Sequence, residues 1–93
     1  METEVRDNPD ESRYEIRRDG NTVGFSDYRR RGNRVTFLHT EVDPELRGEG
    51  LAEELVGGAL DDVRQRHETV IARCPYVARF IEEHPEYQDL RAT

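Results

Sequence analysis

The chain has 93 residues, a formal net charge of −7 at pH 7 and a single cysteine, which suit one small domain without an internal disulfide. Its acidity opposes DNA or RNA as a partner, because a nucleic-acid interface needs a basic surface, and would instead attract a basic substrate such as an amine. The sequence has no run of about 18 apolar residues and no apolar secretory segment, so neither a membrane partner nor export is expected. A lone cysteine favours a reducing, cytoplasmic setting.

The first part of the chain predicts an arm and a hairpin. Residues 1–12 are acidic and polar, and they are expected to form a flexible arm. Polar and apolar residues alternate over residues 13–17, which indicates a strand. Asp19-Gly20 then supplies a turn, because both residues tolerate positive φ angles. The return strand is expected at residues 22–28.

A basic turn and a third strand follow. Residues 29–33 include three arginines and are expected to form a solvated loop tip, with a contact to a ligand phosphate as the alternative. Residues 34–42 predict the third strand of an antiparallel meander, since the connections are short. Strict alternation places four of its residues on one face: Val35, Phe37, His39 and Glu41.

The second part predicts two helices around a short strand. Apolar residues recur at helical spacing from residue 51 to about residue 66. A Gly57-Gly58 pair interrupts them at a cost on the order of 1 kcal/mol per glycine, which close packing against the sheet is expected to offset. Residues 69–72 predict a buried strand parallel to the third, after a right-handed crossover. A second helix is expected over residues 76–84, with a tail after it.

Two glycines, Gly48 and Gly50, lie where the third strand gives way to the first helix. Neither carries a Cβ, so the backbone can turn tightly and approach a ligand. The following helix points its free N–H groups and the positive end of its dipole into the turn, which suits phosphate or pyrophosphate. The alternative is that the glycines only permit a sharp turn.

The segment Arg47-Gly48-Glu49-Gly50-Leu51-Ala52 fits the Arg/Gln-x-x-Gly-x-Gly/Ala signature of the GNAT acetyltransferase superfamily. Further blocks resemble the minimal single-domain GNAT-like proteins: His39-Thr40-Glu41-Val42, Cys74-Pro75-Tyr76 and His84-Pro85-Glu86-Tyr87. The resemblance covers residues 13–90. It implies an α+β fold with a GNAT-like core, in which the fourth strand splays from the third. The first helices and last strands of full-length GNAT enzymes, which usually build the acceptor site, have no counterpart here.

The resemblance implies acetyl-CoA as the ligand. Backbone amides of the signature would hold the CoA pyrophosphate, and they belong to Arg47, Gly48, Glu49, Gly50, Leu51 and Ala52. The backbone at Glu41 and Val42 would pair with the pantetheine arm, provided that the third and fourth strands separate beyond Val42 and Ala72. Tyr76 would contact the thioester or supply a proton, with simple packing as the alternative.

Acetyl transfer needs a deprotonated nucleophile, a stabilised oxyanion and an acid for the departing thiolate. Cys74 and His39 are expected near the carboxyl ends of neighbouring strands, where the imidazole could lower the pKa of the thiol. The thiolate could then accept the acetyl group or return a proton to CoA. Glu41 could be the general base for an ammonium acceptor. The alternatives are a buried structural cysteine, a hydrogen-bonded strand histidine and a solvent-facing carboxylate.

The sequence therefore predicts an acetyl-CoA-dependent N-acetyltransferase for a small-molecule or protein amine, acting by direct transfer or through a transient acetyl-cysteine. The alternative is a non-catalytic CoA-binding or protein-interaction module on a truncated GNAT fold. The predicted organisation is an arm at residues 1–12, a single domain at 13–90 and a tail at 91–93. No metal is expected, since the three histidines lack metal-ligand spacing and the cysteine has no partner. The oligomeric state is not predicted.

Overall fold

The fold is built on a five-stranded sheet whose spatial order follows the chain, β1-β2-β3-β4-β5, in a computed structural model that describes residues 2–92. The strands are β1 (Thr3–Asn8), β2 (Arg13–Arg18), β3 (Asn21–Arg31), β4 (Arg34–Val42) and β5 (Thr69–Ala72). The helices are α1 (Leu51–Gln65) and α2 (Pro75–Glu83), with 3-10 turns at Pro44–Leu46 and Pro85–Leu90. β1 to β4 pair antiparallel and β5 runs parallel to β4. This arrangement confirms the predicted α+β class, the meander and the parallel last strand. Within the described chain no helix is long and apolar enough to cross a membrane.

β1 occupies a segment that was expected to be a flexible arm, and that prediction is wrong for residues 3–8. The strand pairs with β2 along its whole length. Val5, its one large apolar residue, packs against the core, and Asp7 accepts a hydrogen bond from the hydroxyl of Tyr28 at 2.6 Å. The strand was not predicted because its sequence is acidic and lacks an alternating apolar pattern. Its regular structure comes from pairing with β2. Met1 and Thr93 lie outside the described residues.

α1 packs its apolar stripe on the sheet, as its periodicity predicts. Its buried residues are Leu51, Leu55, Val56, Ala59, Leu60 and Val63. They join one core with the inward side chains of the strands and of α2. The chain after α2 also returns to this core, where Leu90 is 5% exposed. Arg91 then forms an isolated parallel bridge with Val70, so the predicted tail is attached to the sheet at its first residue.

Gly57 and Gly58 differ in how closely the rest of the protein approaches them. A Cβ on Gly58 would lie 2.8 Å from the Cβ of Val5, so the packing that was expected to offset the helix cost is confirmed there. A Cβ on Gly57 would lie 3.7 Å from Cζ of Phe80, an ordinary contact. β1 therefore rests on one glycine of the pair, and the other has room for a methyl group.

Two neighbouring substitutions should consequently have opposite effects on stability. Gly57→Ala is expected to raise the free energy of unfolding by about 0.5–1 kcal/mol, because alanine favours the helix and meets no clash. Gly58→Ala is expected to lower it by about 1–3 kcal/mol, because Val5 and its strand must move. Urea denaturation of both variants beside the wild type measures the two changes. A stabilising Gly58→Ala would contradict the close fit of β1 on α1.

The predicted loop tip at residues 29–33 is wrong for its arginines. β3 continues through Arg31, and the turn begins at Gly32. Side chains alternate along a strand, so Arg29 and Arg31 are exposed while Arg30 between them is half-buried. Three consecutive arginines thus have two different environments.

Arg30 joins β1, β3 and the residue before β5 through a network of buried or half-buried side chains. Its guanidinium donates to both carboxylate oxygens of Glu68, at 2.8 and 3.1 Å, and to Asp7 at 3.3 Å. It also donates to the phenol oxygens of Tyr14 and Tyr28, at 3.1 and 3.0 Å. Burial and the hydrogen bond to Asp7 raise the pKa of Tyr28 to about 12, so this phenol stays neutral. The network fixes the start of β5 beside β4.

The pairing of β3 with β4 contains an irregularity in the middle of the sheet. Asp27 pairs with His39, yet the next residue, Tyr28, pairs with Phe37. Leu38 is therefore an additional residue on β4, a β-bulge. A bulge interrupts the alternation of side chains, so residues on its two sides exchange faces.

The bulge decides which residues of β4 reach the core. Val35 and Phe37 are 0% and 1% exposed, and beyond the bulge the inward position passes to Thr40, whose hydroxyl lies 2.9 Å from that of the buried Ser26. His39 and Glu41 are exposed on the outer face, the side of the sheet opposite α1. The predicted grouping of His39 and Glu41 with Val35 and Phe37 is therefore wrong.

Candidate active site

β4 extends past β5 and leaves a gap in the sheet. Parallel pairing of the two strands ends at Phe37 and Ala72. Arg73 and Cys74 then donate their N–H groups to the carbonyl of Phe37, at 3.0 and 2.9 Å, and the chain turns into α2. Residues 38–42 of β4 have no strand beside them on this edge in the described structure. The strands separate as predicted, although the separation begins well before the end of β4.

The hydrogen-bond alternation of an antiparallel pair shows which backbone groups of β4 face this gap. Asp43 donates its N–H to the carbonyl of Val23 on β3, at 2.8 Å. By alternation, Glu41 also bonds to β3, whereas the N–H and C=O groups of Thr40 and Val42 point into the gap. Between residues 2 and 92, neither has a backbone partner outside the strand ladders. The backbone of Val42 has the orientation that the predicted pairing with a ligand needs, and that pairing stays a prediction. The backbone of Glu41 faces β3, so the prediction for Glu41 is wrong, and the second residue that faces the gap is Thr40.

The turn between β4 and α1 has the glycine geometry that its sequence predicts. Gly48 and Gly50 have φ angles of +89° and +77°, a region that costs other residues about 1–2 kcal/mol. A Cβ on either would meet no atom within 4 Å. Gly50 occupies the N-cap position of α1, but it has no side chain that could accept hydrogen bonds from the first N–H groups of the helix. The turn is therefore open toward solvent and uncapped.

Consecutive backbone amides in this turn and at the start of α1 are free. The first α1 hydrogen bond runs from Glu54 to the carbonyl of Gly50 at 3.1 Å. The N–H groups from Gly48 to Ala52 have no acceptor among the described residues. The amide of Arg47 is not free, because it donates to the carbonyl of Pro44 at 3.3 Å, so its predicted part in an amide cradle is wrong. The helix dipole adds positive potential at the same place.

A cavity of about 260 Å³ opens over these amides. Its lining residues are Val42, Leu46, Arg47, Gly48, Gly50, Leu51, Ala52, Glu53 and Tyr76. All predicted cofactor-binding residues are present except Glu49, whose carboxylate accepts from Arg18 at 2.6 Å. Leu46 and Glu53 were missed, although they flank the signature directly. The cavity thus brings the turn, the open edge of β4 and the first turn of α2 together.

Tyr76 presents its ring to this cavity from α2, with 36% of its surface exposed. Burial raises the pKa of its phenol, and the negative charges of Glu53 and Glu83 raise it further. The hydroxyl is consequently a neutral group at physiological pH that can donate a proton or a hydrogen bond.

Cys74 lies where the two strands part, and it contacts Thr40 rather than His39. Its thiol lies 3.4 Å from the hydroxyl of Thr40, which in turn lies 2.9 Å from that of Ser26. The side chain is buried, at 3% exposure. The predicted pairing of Cys74 with His39 is wrong, because the bulge turns the imidazole to the outer face.

His39 and Glu41 form a pair of their own on the outer face. The imidazole Nε2 lies 3.0 Å from a carboxylate oxygen of Glu41, and both side chains are about 60% exposed (59% and 63%). The ring centre of His39 lies 6.2 Å from that of Phe25. A solvent-accessible imidazole–carboxylate pair can take up a proton from a ligand that arrives on this face.

Comparison with known proteins shows the family and the fold. The family model described as GCN5-related N-acetyl-transferase matches residues 13–90. Protein NATD1 of Bos taurus is 38% identical over 55 residues, a match that covers 58% of this chain and 49%, about half, of the bovine protein.

Two solved structures resemble this fold. A GCN5-like protein of Staphylococcus aureus, determined in solution by NMR, superposes with a TM-score of 0.72 and 25% identity over 96% of this chain and 87% of that one. The N-acetylglutamate synthase of Neisseria gonorrhoeae, solved with coenzyme A and N-acetylglutamate, has a TM-score of 0.60 and 17% identity over 77% of this chain and 18% of that one. The second likeness shows the fold alone. With its GNAT-like core and a family match over most of its length, this chain belongs to the GCN5-related N-acetyltransferase family.

Proposed function

We propose that this protein is an acetyl-CoA-dependent N-acetyltransferase that acts on an amine. Family membership supports acetyl transfer in general terms. The observation that carries the more specific proposal is the uncapped turn at Gly48–Ala52 beside the open edge of β4. When bound, acetyl-CoA would supply an acetyl thioester, which is an activated acyl group.

The residues of the cavity fit the two polar parts of such a ligand. The free amides from Gly48 to Ala52 suit a pyrophosphate, because several N–H groups converge at a helix N-terminus. The outward backbone groups of Thr40 and Val42 suit the amides of a pantetheine arm, as an added strand would. Arg47 lines the cavity and forms no ion pair within residues 2–92. A protein of the same fold was solved with coenzyme A, which supports coenzyme A as the ligand of this proposal.

The side chains around the gap can divide the proton transfers between them. Glu41, with His39 beside it, takes the proton of an ammonium acceptor, directly or through water, and frees the amine lone pair. Tyr76 returns a proton to the departing thiolate. In the alternative route the thiol of Cys74 would accept the acetyl group first, its proton would pass to the departing thiolate, and the acetyl group would then move from Cys74 to the amine.

Tyr76→Phe tests the assignment of the acid. We expect it to lower kcat for CoA release about 100-fold, within the range for loss of a general acid, while the Kd for CoA changes less than about twofold because the ring remains. Tyr87→Phe is the matched control. It removes a phenol hydroxyl that donates to Asp61 at 2.8 Å, outside the cavity. Acetyl-CoA with a panel of amines, followed by free thiol release, gives the rates. Equal rates in both variants would remove Tyr76 from the chemistry.

Mass spectrometry of the protein after exposure to acetyl-CoA separates the two routes. A mass increase of one acetyl group on Cys74, together with loss of turnover in Cys74→Ala, supports the acetyl-cysteine route. An unmodified Cys74 with activity retained in Cys74→Ala supports direct transfer.

The second candidate is a non-catalytic CoA-binding or protein-interaction module. It is favoured by the separation of Cys74 from His39, which leaves the thiol with a hydroxyl neighbour instead of a base. Thermal denaturation distinguishes the two candidates. Stabilisation by CoA without turnover on any amine would favour the module, and turnover would exclude it.

A further inference from the structure

We propose that the acceptor amine also carries an anionic group, a carboxylate or a phosphate, and that an arginine-lined cavity on the outer face of the sheet binds it. This inference rests on the proposed N-acetyltransferase function and names its class of substrate: a small molecule with an amine at one end and an acid at the other.

The cavity has a volume of about 480 Å³, within the range of small-molecule sites. It is lined by Arg29, Arg31, Arg34, Thr36, Leu38, Ile71 and Arg73. Leu38 is 42% exposed and Tyr76 is 36% exposed, and these are the two large apolar side chains that are exposed in the described structure. One lines this cavity and the other lines the proposed CoA cavity. Both cavities thus combine apolar surface with polar groups, as ligand sites do.

The charge of this cavity is opposite to that of the protein. The net charge is −7, yet the lining contains four arginines and no carboxylate. None of the four forms an ion pair or a side-chain hydrogen bond within residues 2–92. By contrast, Arg13 and Arg17 on β2 both donate to Glu15. Four unpaired guanidinium groups around one concavity favour an anion, because they repel one another without it.

The position of the cavity connects it with acetyl transfer. Leu38 and Arg73 are the residues that immediately follow the last β4–β5 pair, so the cavity adjoins the gap. The proposed CoA cavity borders the gap farther along β4, at Val42. Glu41 and His39 share the outer face with the arginines and lie beyond Leu38 on the same strand. Leu38 and Glu41 are roughly 10 Å apart along β4, a distance that a short amino acid or aminoalkyl phosphate would bridge together with the long side chains of the arginines and of Glu41.

Size and charge favour a small molecule over a polymer. A long polyanion such as RNA would also contact surface beyond the cavity, and the net charge of −7 opposes that. A single carboxylate or phosphate needs only the local arginines. The planar donors of arginine match either group in a bidentate way.

Titration of ¹⁵N-labelled protein with matched amines tests the inference without acetyl-CoA. The anionic probes are O-phosphoethanolamine and 4-aminobutyrate, and their uncharged-end counterparts are ethanolamine and butylamine. We expect the anionic probes alone to shift the amide signals of Leu38, Ile71 and Arg73. The comparison of the two anionic probes shows whether phosphate or carboxylate binds more tightly.

Two variants separate a specific site from general charge attraction. Arg73→Gln is expected to raise the Kd of the anionic probe about fivefold, equivalent to about 1 kcal/mol. Arg6→Gln removes the same charge from an exposed arginine on β1 and should leave the Kd unchanged. Equal shifts by ethanolamine, an unchanged Kd in Arg73→Gln, or tighter binding of a short RNA oligonucleotide at the same amides would each overturn the inference.

CoA titration of the same sample distinguishes failure of the inference from failure of the proposed function. Shifts at Gly48–Ala52 with CoA, but none near Arg73 with the anionic amines, would overturn the inference and leave the function standing. Anion binding without any CoA binding would overturn the proposed N-acetyltransferase function. The arginine-lined cavity would then lose its proposed role as the acceptor site as well.

Discussion

Gly50→Glu is expected to weaken CoA binding at least tenfold and to leave the fold intact. Gly50 lies within the run of free turn amides, at the N-cap of α1, with φ at +77° and open space where a Cβ would lie. A glutamate there would place a carboxylate beside the free N–H groups, where it would compete for them and repel a pyrophosphate. Repulsion between such groups at about 5 Å exceeds 1.4 kcal/mol, a factor of ten in Kd, at an intermediate dielectric constant.

Gly20→Glu is the matched control for this prediction. Gly20 lies in the turn between β2 and β3, has a φ angle of +85° and also has nothing within 4 Å of a built Cβ. Both variants gain one negative charge and adopt the same unfavourable backbone region, which costs about 1–2 kcal/mol of stability in each. Calorimetric titration measures the Kd for CoA in both variants. Because backbone strain and net charge change equally, a difference in Kd reports the position of the added carboxylate. The same Kd in both variants would place the pyrophosphate somewhere other than this turn.

Local patterns in the sequence were enough to predict the parts of the site that depend on local geometry. The apolar stripe of α1 follows from helical spacing, and the positive φ angles at Gly48 and Gly50 follow from a residue type that adopts them without strain. The GNAT resemblance added the separation of two parallel strands, which is consistent with the start of α2 at Pro75, soon after the end of β5. The helical stripe and the glycine turn need no information from distant residues, whereas the strand separation came from the family resemblance.

Features that depend on pairing between distant residues were not predictable in this way. The bulge at Leu38 exists because Tyr28 pairs with Phe37 while Asp27 pairs with His39, and neither strand alone marks the position. The bulge places His39 and Glu41 on the outer face instead of the inner one. His39 therefore pairs with Glu41 and not with Cys74. β1 was missed for the same reason, since Val5 contributes the only large apolar side chain among its six residues.

The net charge also did not predict the arginine-lined cavity on the outer face. A charge of −7 suggests attraction of a basic substrate, but the carboxylates and arginines are unevenly distributed. On the inward side Arg30 is surrounded by acids, whereas its neighbours Arg29 and Arg31 reach the outer face without them. Only the register of β3 separates these three arginines into a structural one and two available for a ligand.

Arg30→Met is expected to destabilise the protein by about 3–5 kcal/mol, the usual cost of removing one partner of a buried ion pair. The side chain of Glu68 is 8% exposed and that of Asp7 is 9% exposed. Glu68 would lose its ion-pair partner in the described structure, whereas Asp7 would keep Arg66 at 3.3 Å. Methionine keeps the volume of the aliphatic stem, so the change reports charge and hydrogen bonds rather than a cavity. Small domains are stable by about 5–15 kcal/mol, and the variant should therefore unfold at a much lower urea concentration.

Two further variants show whether the buried carboxylates cause this loss. Arg31→Met changes the next residue of β3, which is exposed and unpaired in the described structure, and should stay within about 0.5 kcal/mol of the wild type. Adding Glu68→Gln to Arg30→Met should restore part of the stability, because it removes one unpaired charge. If Arg30→Met lost as little stability as Arg31→Met, water would already be screening the carboxylates of Asp7 and Glu68. Since Glu68 directly precedes β5, weakening of CoA binding in Arg30→Met at low urea would show that this network also holds the gap beside β4 in place.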